Sequence, residues 1–418
     1  MRVVATALVL LVVAVPAGAQ HLLVPMDDAQ MDHLRAYGLT YHALEDGHPA
    51  EWLLNYRYGS FLLPDVPAVR REAALRGVTV EEADDGAVAS IKAEIEDANM
   101  EVVILEKPPE IAIYTPPNAS PWADAVTLAL TYADIPYEEV WDREVLQGKL
   151  DEYDWLHLHH EDFTGQYSKF YISFAGASWL QEEVERNEAM AREFGAPDVP
   201  ALKKQVAEEI RNYIAGGGFL FAMCTATETL DLALAAAGVD IAAPFSDGTP
   251  VDMDATERME WGRALAFQNA QVQANPAVNA FSDIDGHQVN TAWREPLGSF
   301  SLFDFSAKFD PVPAMLVQNH ETVLRDFYGL TTSFRSDRLK PGVTVLAQEE
   351  GTDWAKYIHG NFGEGTWTFL GGHDPEDQQH DVGDTATDLS LHTHSPGYRL
   401  ILNNVLFPAA KKKTLKTE

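Results

Sequence analysis

Phe219-Leu220-Phe221-Ala222-Met223-Cys224-Thr225-Ala226-Thr227-Glu228 is the stretch whose reading decides the fold. Its first five residues are an unbroken apolar run after Gly216-Gly217-Gly218, which predicts a strand buried on both faces, as in a parallel sheet. Thr225-Ala226-Thr227-Glu228 has capping-box spacing, and a helix is expected from Thr227 to Ala237, ended by Gly238. Upstream, Asp198 is placed to cap a helix whose apolar residues Val199, Leu202, Val206, Ile210, Tyr213 and Ile214 recur at three and four. Cys224 would therefore stand between the carboxyl end of a strand and the amino end of a helix.

The same alternation extends outward. Strands are expected at Ile111–Tyr114, Pro136–Trp141 and Tyr153–Leu158, and later at Val343–Ala347 and Thr366–Leu370. Ser120-Pro121 should open a helix running to Tyr132, and Ser395-Pro396 a final one. Strands alternating with helices predict an α/β fold with a doubly wound, mostly parallel sheet covered on both faces. Residues 108–239 and 341–408 form this core, and 240–340 interrupt it as a long insertion. Residues 20–107 are read as an N-terminal α/β region with a helix from Met26 to His42, and 409–418 as a basic tail.

The 418 residues are 46% apolar, enough for a substantial core, and carry 30 basic against 64 acidic side chains, a net charge of −34. That balance argues against nucleic acid as a partner, since phosphate binding needs clustered cations. Arg2, the apolar run Val3–Val15 and Ala17-Gly18-Ala19 have the layout of a secretory signal peptide over residues 1–19. A secreted or periplasmic location is expected, without membrane association after cleavage. Cys224 is the one cysteine, so no disulfide can form within the chain.

Three constellations carry chemistry. A thiol at a helix amino terminus is favoured as thiolate, so Cys224 is a candidate nucleophile, with the amide of Thr225 among oxyanion donors. His373, directly after the last strand in Leu370-Gly371-Gly372-His373-Asp374-Pro375-Glu376, would lie on the same sheet edge as base, oriented by Asp374 or Glu376. His157, His159, His160, Glu161 and Asp162 end the third strand, where His159, His160 and Glu161 could bind a ligand or oxyanion. No cofactor is required by the Cys/His reading. The alternative is zinc held by His157, His159, His160, His373 and His380, with His392 and His394 nearby in sequence. The leading expectation is a Cys/His hydrolase of an amide or ester. Its rivals are a non-catalytic module for a small molecule or saccharide and a metal-dependent hydrolase.

The strand–Cys224–helix turn, the Leu370-Gly371-Gly372-His373 segment and the strand order together resemble the class I glutamine amidotransferase-like, flavodoxin-like superfamily. The His373 segment and the export signal look closest to its trehalose-utilisation, ThuA-like branch. The resemblance implies Cys224 as nucleophile, His373 as base and Glu376 as acid, although the family's acid position holds Pro375 and its elbow glycines are Ala222 and Ala226. The whole chain, including His21–Met26 and Trp52–Arg57, also resembles secreted bacterial proteins labelled asparagine synthetase B. The Ser-Gly-Gly-x-Asp-Ser loop by which such synthetases bind ATP does not occur here.

Overall fold

A computed structural model describes residues 21–117, 124–287, 298–377 and 385–411. The expected signal peptide, Ser120-Pro121, His380 and the tail beyond Lys411 lie outside these described residues.

The N-terminal region builds its own antiparallel sheet from β1 (His21–Val24), β2 (Ala50–Leu54), β3 (Ser60–Pro64), β4 (Glu81–Ala83) and β5 (Glu101–Leu105), in the order β4-β1-β3-β2-β5. Its first helix is His33–Glu45, later than the expected start at Met26, because the Asp32 carboxylate accepts the Arg35 N–H and sets the cap there.

The second sheet contains β6 (Ile111–Tyr114), β7 (Glu138–Val140), β8 (Trp155–Leu158), β9 (Phe219–Met223), β10 (Ser299–Leu302), β11 (Val323–Arg325), β12 (Thr344–Glu349), β13 (Ala355–Phe362) and β14 (Gly365–Leu370). Its order is β11-β10-β12-β13-β14-β9-β8-β6-β7. The run β14-β9-β8-β6-β7 is parallel, and the other pairs are antiparallel. The sheet is therefore mixed rather than mostly parallel. A tight turn at Gly363, whose φ is +61°, returns β13 into β14 as a hairpin, which forces antiparallel pairing. Two strands of the 240–340 segment, β10 and β11, join the same sheet at its antiparallel edge.

Alternation along each parallel strand divides the core in two. Ile111, Ile113, Trp155, Phe219 and Phe221 pack against the helices Ala125–Ala133, His33–Glu45 and Pro396–Leu406. Ala112, Leu156, Leu158, Leu220 and Ala222 face the helices Val199–Ala215 and Cys224–Ala235. Helices thus cover both faces, leaving the carboxyl ends of the parallel strands as the edge where loops converge. The expected caps at Asp198 and Ser395 both form, with side chains accepting the N–H groups of Ala201 and Tyr398.

Candidate functional site

Four of the parallel strands, β6, β8, β9 and β14, place a polar group at that edge. After β6 comes Asp124, which caps the Ala125–Ala133 helix by accepting the Val126 N–H at 2.6 Å. Within β8, His157 is fully buried between Trp155 and Phe221, ring centroids 5.8 and 5.5 Å away. Its Nδ1 lies 2.9 Å from the Phe221 carbonyl, so that nitrogen carries the proton, and its Nε2 lies 3.3 Å from Asp124. His159 Nδ1 is 3.2 Å from the other Asp124 oxygen. Burial alone would raise the Asp124 carboxyl, but His157, His160 and the Val126 amide together outweigh it and hold the group below its ordinary value. Asp124 thereby orients two imidazoles, the arrangement in which a carboxylate fixes a metal-ligating histidine.

His159, His160 and His373 then meet. The His159 and His373 rings lie edge to face at 4.4 Å, and His160 stacks on His373 at 5.3 Å. One ring nitrogen from each of the three falls within 4.8 Å of the others. His373 reaches this point because Gly371-Gly372 lets the chain leave β14 sharply. A Cβ on Gly371 would stand 2.3 Å from the Thr332 carbonyl oxygen, and Gly372 has a φ of +85°. The His373 N–H then donates to Tyr328 at 2.7 Å.

The remaining expected residues divide. Asp374 does not serve as a free carboxylate: it accepts from the Glu376 and Asp377 amides and from the Thr387 and Tyr398 hydroxyls, closing its own loop. Glu376 stands 3.3 Å from His392. His394 packs on His33 in the N-terminal region and bonds the Gln30 carbonyl, so it belongs elsewhere. His157, expected as a possible ligand, meets the Phe221 carbonyl and Asp124, and with Asp124 and His159 it forms a second set of ligand atoms within 4.8 Å of one another. Glu161 accepts the His159 N–H at 2.7 Å, and burial pushes its carboxyl up to about 7.

Cys224 occupies the strand–helix turn with a φ of +50°, a left-handed backbone that costs an L-residue energy. Its N–H extends the β9–β14 ladder to the Gly372 carbonyl at 3.1 Å. The helix begins at Cys224 itself, Ala226 N–H donates to the His159 carbonyl, and the Thr229 hydroxyl holds the Glu161 carbonyl. Those contacts clamp the His159-His160-Glu161 turn, so the helix terminus is spent on positioning histidines. The expected capping box does not form, because the Glu228 side chain binds Ser282 and Thr331 instead. The thiol is buried, and burial pushes it up to about 11 against the pull of the Leu330 and Thr225 amides. A lowered thiol was expected from helix-terminus placement alone; desolvation reverses the sign. Cys224 joins none of the convergent ligand clusters of the described residues.

Sequence reasoning missed Asp124. Its one signal was a cap residue directly before the apolar run Ala125–Ala133. That signal carries no information about which imidazoles the carboxylate meets across the sheet.

No family model matches the chain, and no curated protein matches it in sequence. Among solved structures it is similar to the cytoplasmic protein STM3548 from Salmonella typhimurium, at 9% identity over 72% of this chain and 100% of that one, with a TM-score of 0.36. A second cytoplasmic protein of Salmonella typhimurium LT2, STM1381, gives 10% identity over 72% and 100%, with a TM-score of 0.37. Gan42B, a GH42 beta-galactosidase, aligns with 64% of this chain but only 28% of its own length, at 11% identity and a TM-score of 0.26.

Proposed function

We propose that this protein is a metal-dependent hydrolase of an amide or ester, with zinc held by His159, His160 and His373. The observation that carries the reading is the convergence of three imidazole nitrogens to within 4.8 Å. Nitrogens bound tetrahedrally to one zinc at ~2.0–2.1 Å stand roughly 3.3–3.4 Å apart, so side-chain rotations of about an ångström close the site. Three protein ligands leave a fourth position open, as in catalytic rather than structural zinc sites. Bound there, zinc would polarise a carbonyl and lower the pKa of a water to ~7. The chain's own residues supply the rest: Asp124 and His157 hold His159, the Gly371-Gly372 turn holds His373, and the start of the Cys224–Ala235 helix holds the His159–Glu161 turn.

In order of appearance, the five parallel strands lie 2-1-3-4-5, the order of flavodoxin-like doubly wound sheets. Asp124 follows the first of them and His159 the third, on either side of the switch point where such sheets bind ligands. This order is consistent with the flavodoxin-like part of the resemblance. Read with residues 1–19 as an export signal, the enzyme works outside the cytoplasm. No described helix is long and apolar enough to cross a membrane.

Chelator-stripped protein titrated with zinc should bind one ion per chain. His159→Ala and His373→Ala should each weaken binding at least ~10-fold, by analogy with loss of outer-shell groups, which already costs ~10–100-fold. Hydrolysis of a panel of chromogenic esters and anilides should stop on chelation and return with zinc. Substoichiometric metal in the wild type, or unchanged affinity in both variants, would remove the reading. Stoichiometric zinc with no turnover would leave a metal-bearing binding module.

A second reading, a Cys/His hydrolase with Cys224 as nucleophile and His373 as base, is favoured by the left-handed turn at Cys224, which resembles a nucleophile elbow. It needs a thiolate. With the thiol at about 11, the folded protein at pH 8 should be alkylated by iodoacetamide roughly 200-fold more slowly than a free cysteine of pKa ~8.5. Below that value, the rate should rise about tenfold per pH unit. Cys224→Ser should retain turnover. Rapid labelling at mildly acidic pH that collapses in His373→Ala would instead restore the cysteine mechanism.

A further inference from the structure

A cleft of about 280 Å³ opens beside the histidine cluster. Asp124 and His160 line one part of it, and Arg186 of the Ser178–Glu193 helix lines another, with Trp141, Phe170 and Trp179 among the walls. Its volume is at the small end of the ~300–1,000 Å³ range of ligand pockets, which fits a small molecule rather than a polymer.

Arg186 is unusual in this chain. Among the described arginines, all but Arg186 and Arg325 make a hydrogen bond or ion pair, and Arg325 is exposed on β11. Arg186 is half-buried, its Nε is shut off from solvent without a hydrogen-bond partner, and its guanidinium lies 5.8 Å from the Trp141 ring centroid. Glu183, one turn earlier on the same helix, feels its charge, but no carboxylate of the described residues forms an ion pair or hydrogen bond with it. Lys203, the other cation of the cleft, is already neutralised by Asp142 at 2.8 Å. An unspent guanidinium on the wall of a cleft is a recognition group for a planar anion, since its fork matches a carboxylate with two parallel bonds.

Building on the hydrolase reading, we propose that the cleft selects substrates that carry a carboxylate, gripped by Arg186 while the scissile amide or ester lies at the histidines. The other charged groups of the cleft set the charge of the ligand. Glu161, Asp162 and Glu183 also line it, so negative charge beyond what Arg186 can balance meets acidic walls. A single carboxylate balances the one guanidinium, whereas a phosphate dianion would face four acidic side chains, Asp124 included. The aromatic walls add flat apolar surface for the body of the substrate.

Calorimetric titration of zinc-loaded and chelator-treated protein with benzoate, benzamide and phenyl phosphate tests this. Benzoate should bind both forms, and benzamide and phenyl phosphate should bind at least ~10-fold more weakly. Arg186→Gln should weaken benzoate about 10- to 100-fold, the value of a hydrogen-bonded charge, without changing zinc stoichiometry. Arg186→Lys, which keeps the charge but not the fork, should fall between, and Arg325→Gln should match the wild type. Benzoate affinity that is unchanged in Arg186→Gln but lost on chelation would overturn the proposal and leave the metal reading standing. Preference for phenyl phosphate would overturn the carboxylate assignment. Absence of zinc together with Arg186-dependent benzoate binding would sink the hydrolase reading and leave the carboxylate site.

Discussion

Lys203→Met should lower the unfolding free energy by ~3–5 kcal/mol, the cost of stranding a buried charge. Lys203 projects from the Val199–Ala215 helix, and its ammonium lies 2.9 and 2.8 Å from the two oxygens of Asp142 and 3.2 Å from the Tyr114 hydroxyl. Asp142 is fully buried, and Lys203 is 7% exposed. Methionine keeps the stem's packing but leaves the Asp142 carboxylate with the Tyr114 hydroxyl alone among these partners. The pair itself need not be net stabilising, because desolvation consumes much of the Coulombic gain. The double variant Lys203→Met/Asp142→Leu should therefore recover most of the loss, giving a large favourable coupling in a double-mutant cycle. Urea unfolding with an unchanged slope reads both effects. A single variant within ~1 kcal/mol of the wild type would show that water reaches the pair and that the site is not dry.

Glu228→Gln should stabilise the protein by about 3 kcal/mol at pH 8 and by only about 1 kcal/mol at pH 5. Glu228 sits inside the Cys224–Ala235 helix, 2% exposed, and accepts hydroxyl bonds from Ser282 at 2.5 Å and Thr331 at 3.0 Å. Burial, with Asp285 adding to it, pushes the carboxyl up to about 7 from an ordinary 4.5. The folded value lies above the unfolded one, so the folded chain binds the extra proton between them. The associated stability is fully present below 4.5 and is lost as pH rises through about 7. Glutamine is neutral throughout and of the same shape, and either hydroxyl can turn to accept its amide. The difference between the two proteins should grow with pH from about 5 to 8. A pH-independent difference, or destabilisation at pH 8, would mean that Glu228 is solvated or already ionised in the folded chain.

The central strands of the parallel run were legible because burial on both faces demands apolar sequence, as in Phe219–Met223, whereas the edge strand β7 exposes Glu138 and Glu139. β13 was not expected. Its sequence Ala355-Lys356-Tyr357-Ile358-His359-Gly360-Asn361-Phe362 holds a lysine and a histidine at positions that prove fully or nearly fully buried. Lys356 lies against Asp326 and donates to the Thr332 carbonyl at 2.8 Å, and His359 meets the Thr368 hydroxyl. A polar residue whose partner is remote in sequence looks exposed until the partner is found. Missing β13 also concealed the hairpin that makes the sheet mixed.

Local pattern by itself determined the helix caps at Asp198 and Ser395, the apolar strands, and the position of Cys224 at a strand–helix turn. It also determined that His159, His160 and His373 follow strand ends. Those properties depend on residues within a few positions of one another, where backbone geometry is short-range. Only the tertiary structure decided that Asp124 joins His157 and His159, that Asp374 is consumed by its own loop, and that Arg186 lines a cleft against Trp141. It also decided the state of Cys224. A helix terminus favours a thiolate, but the depth of burial around it is summed over the whole fold, and here desolvation wins.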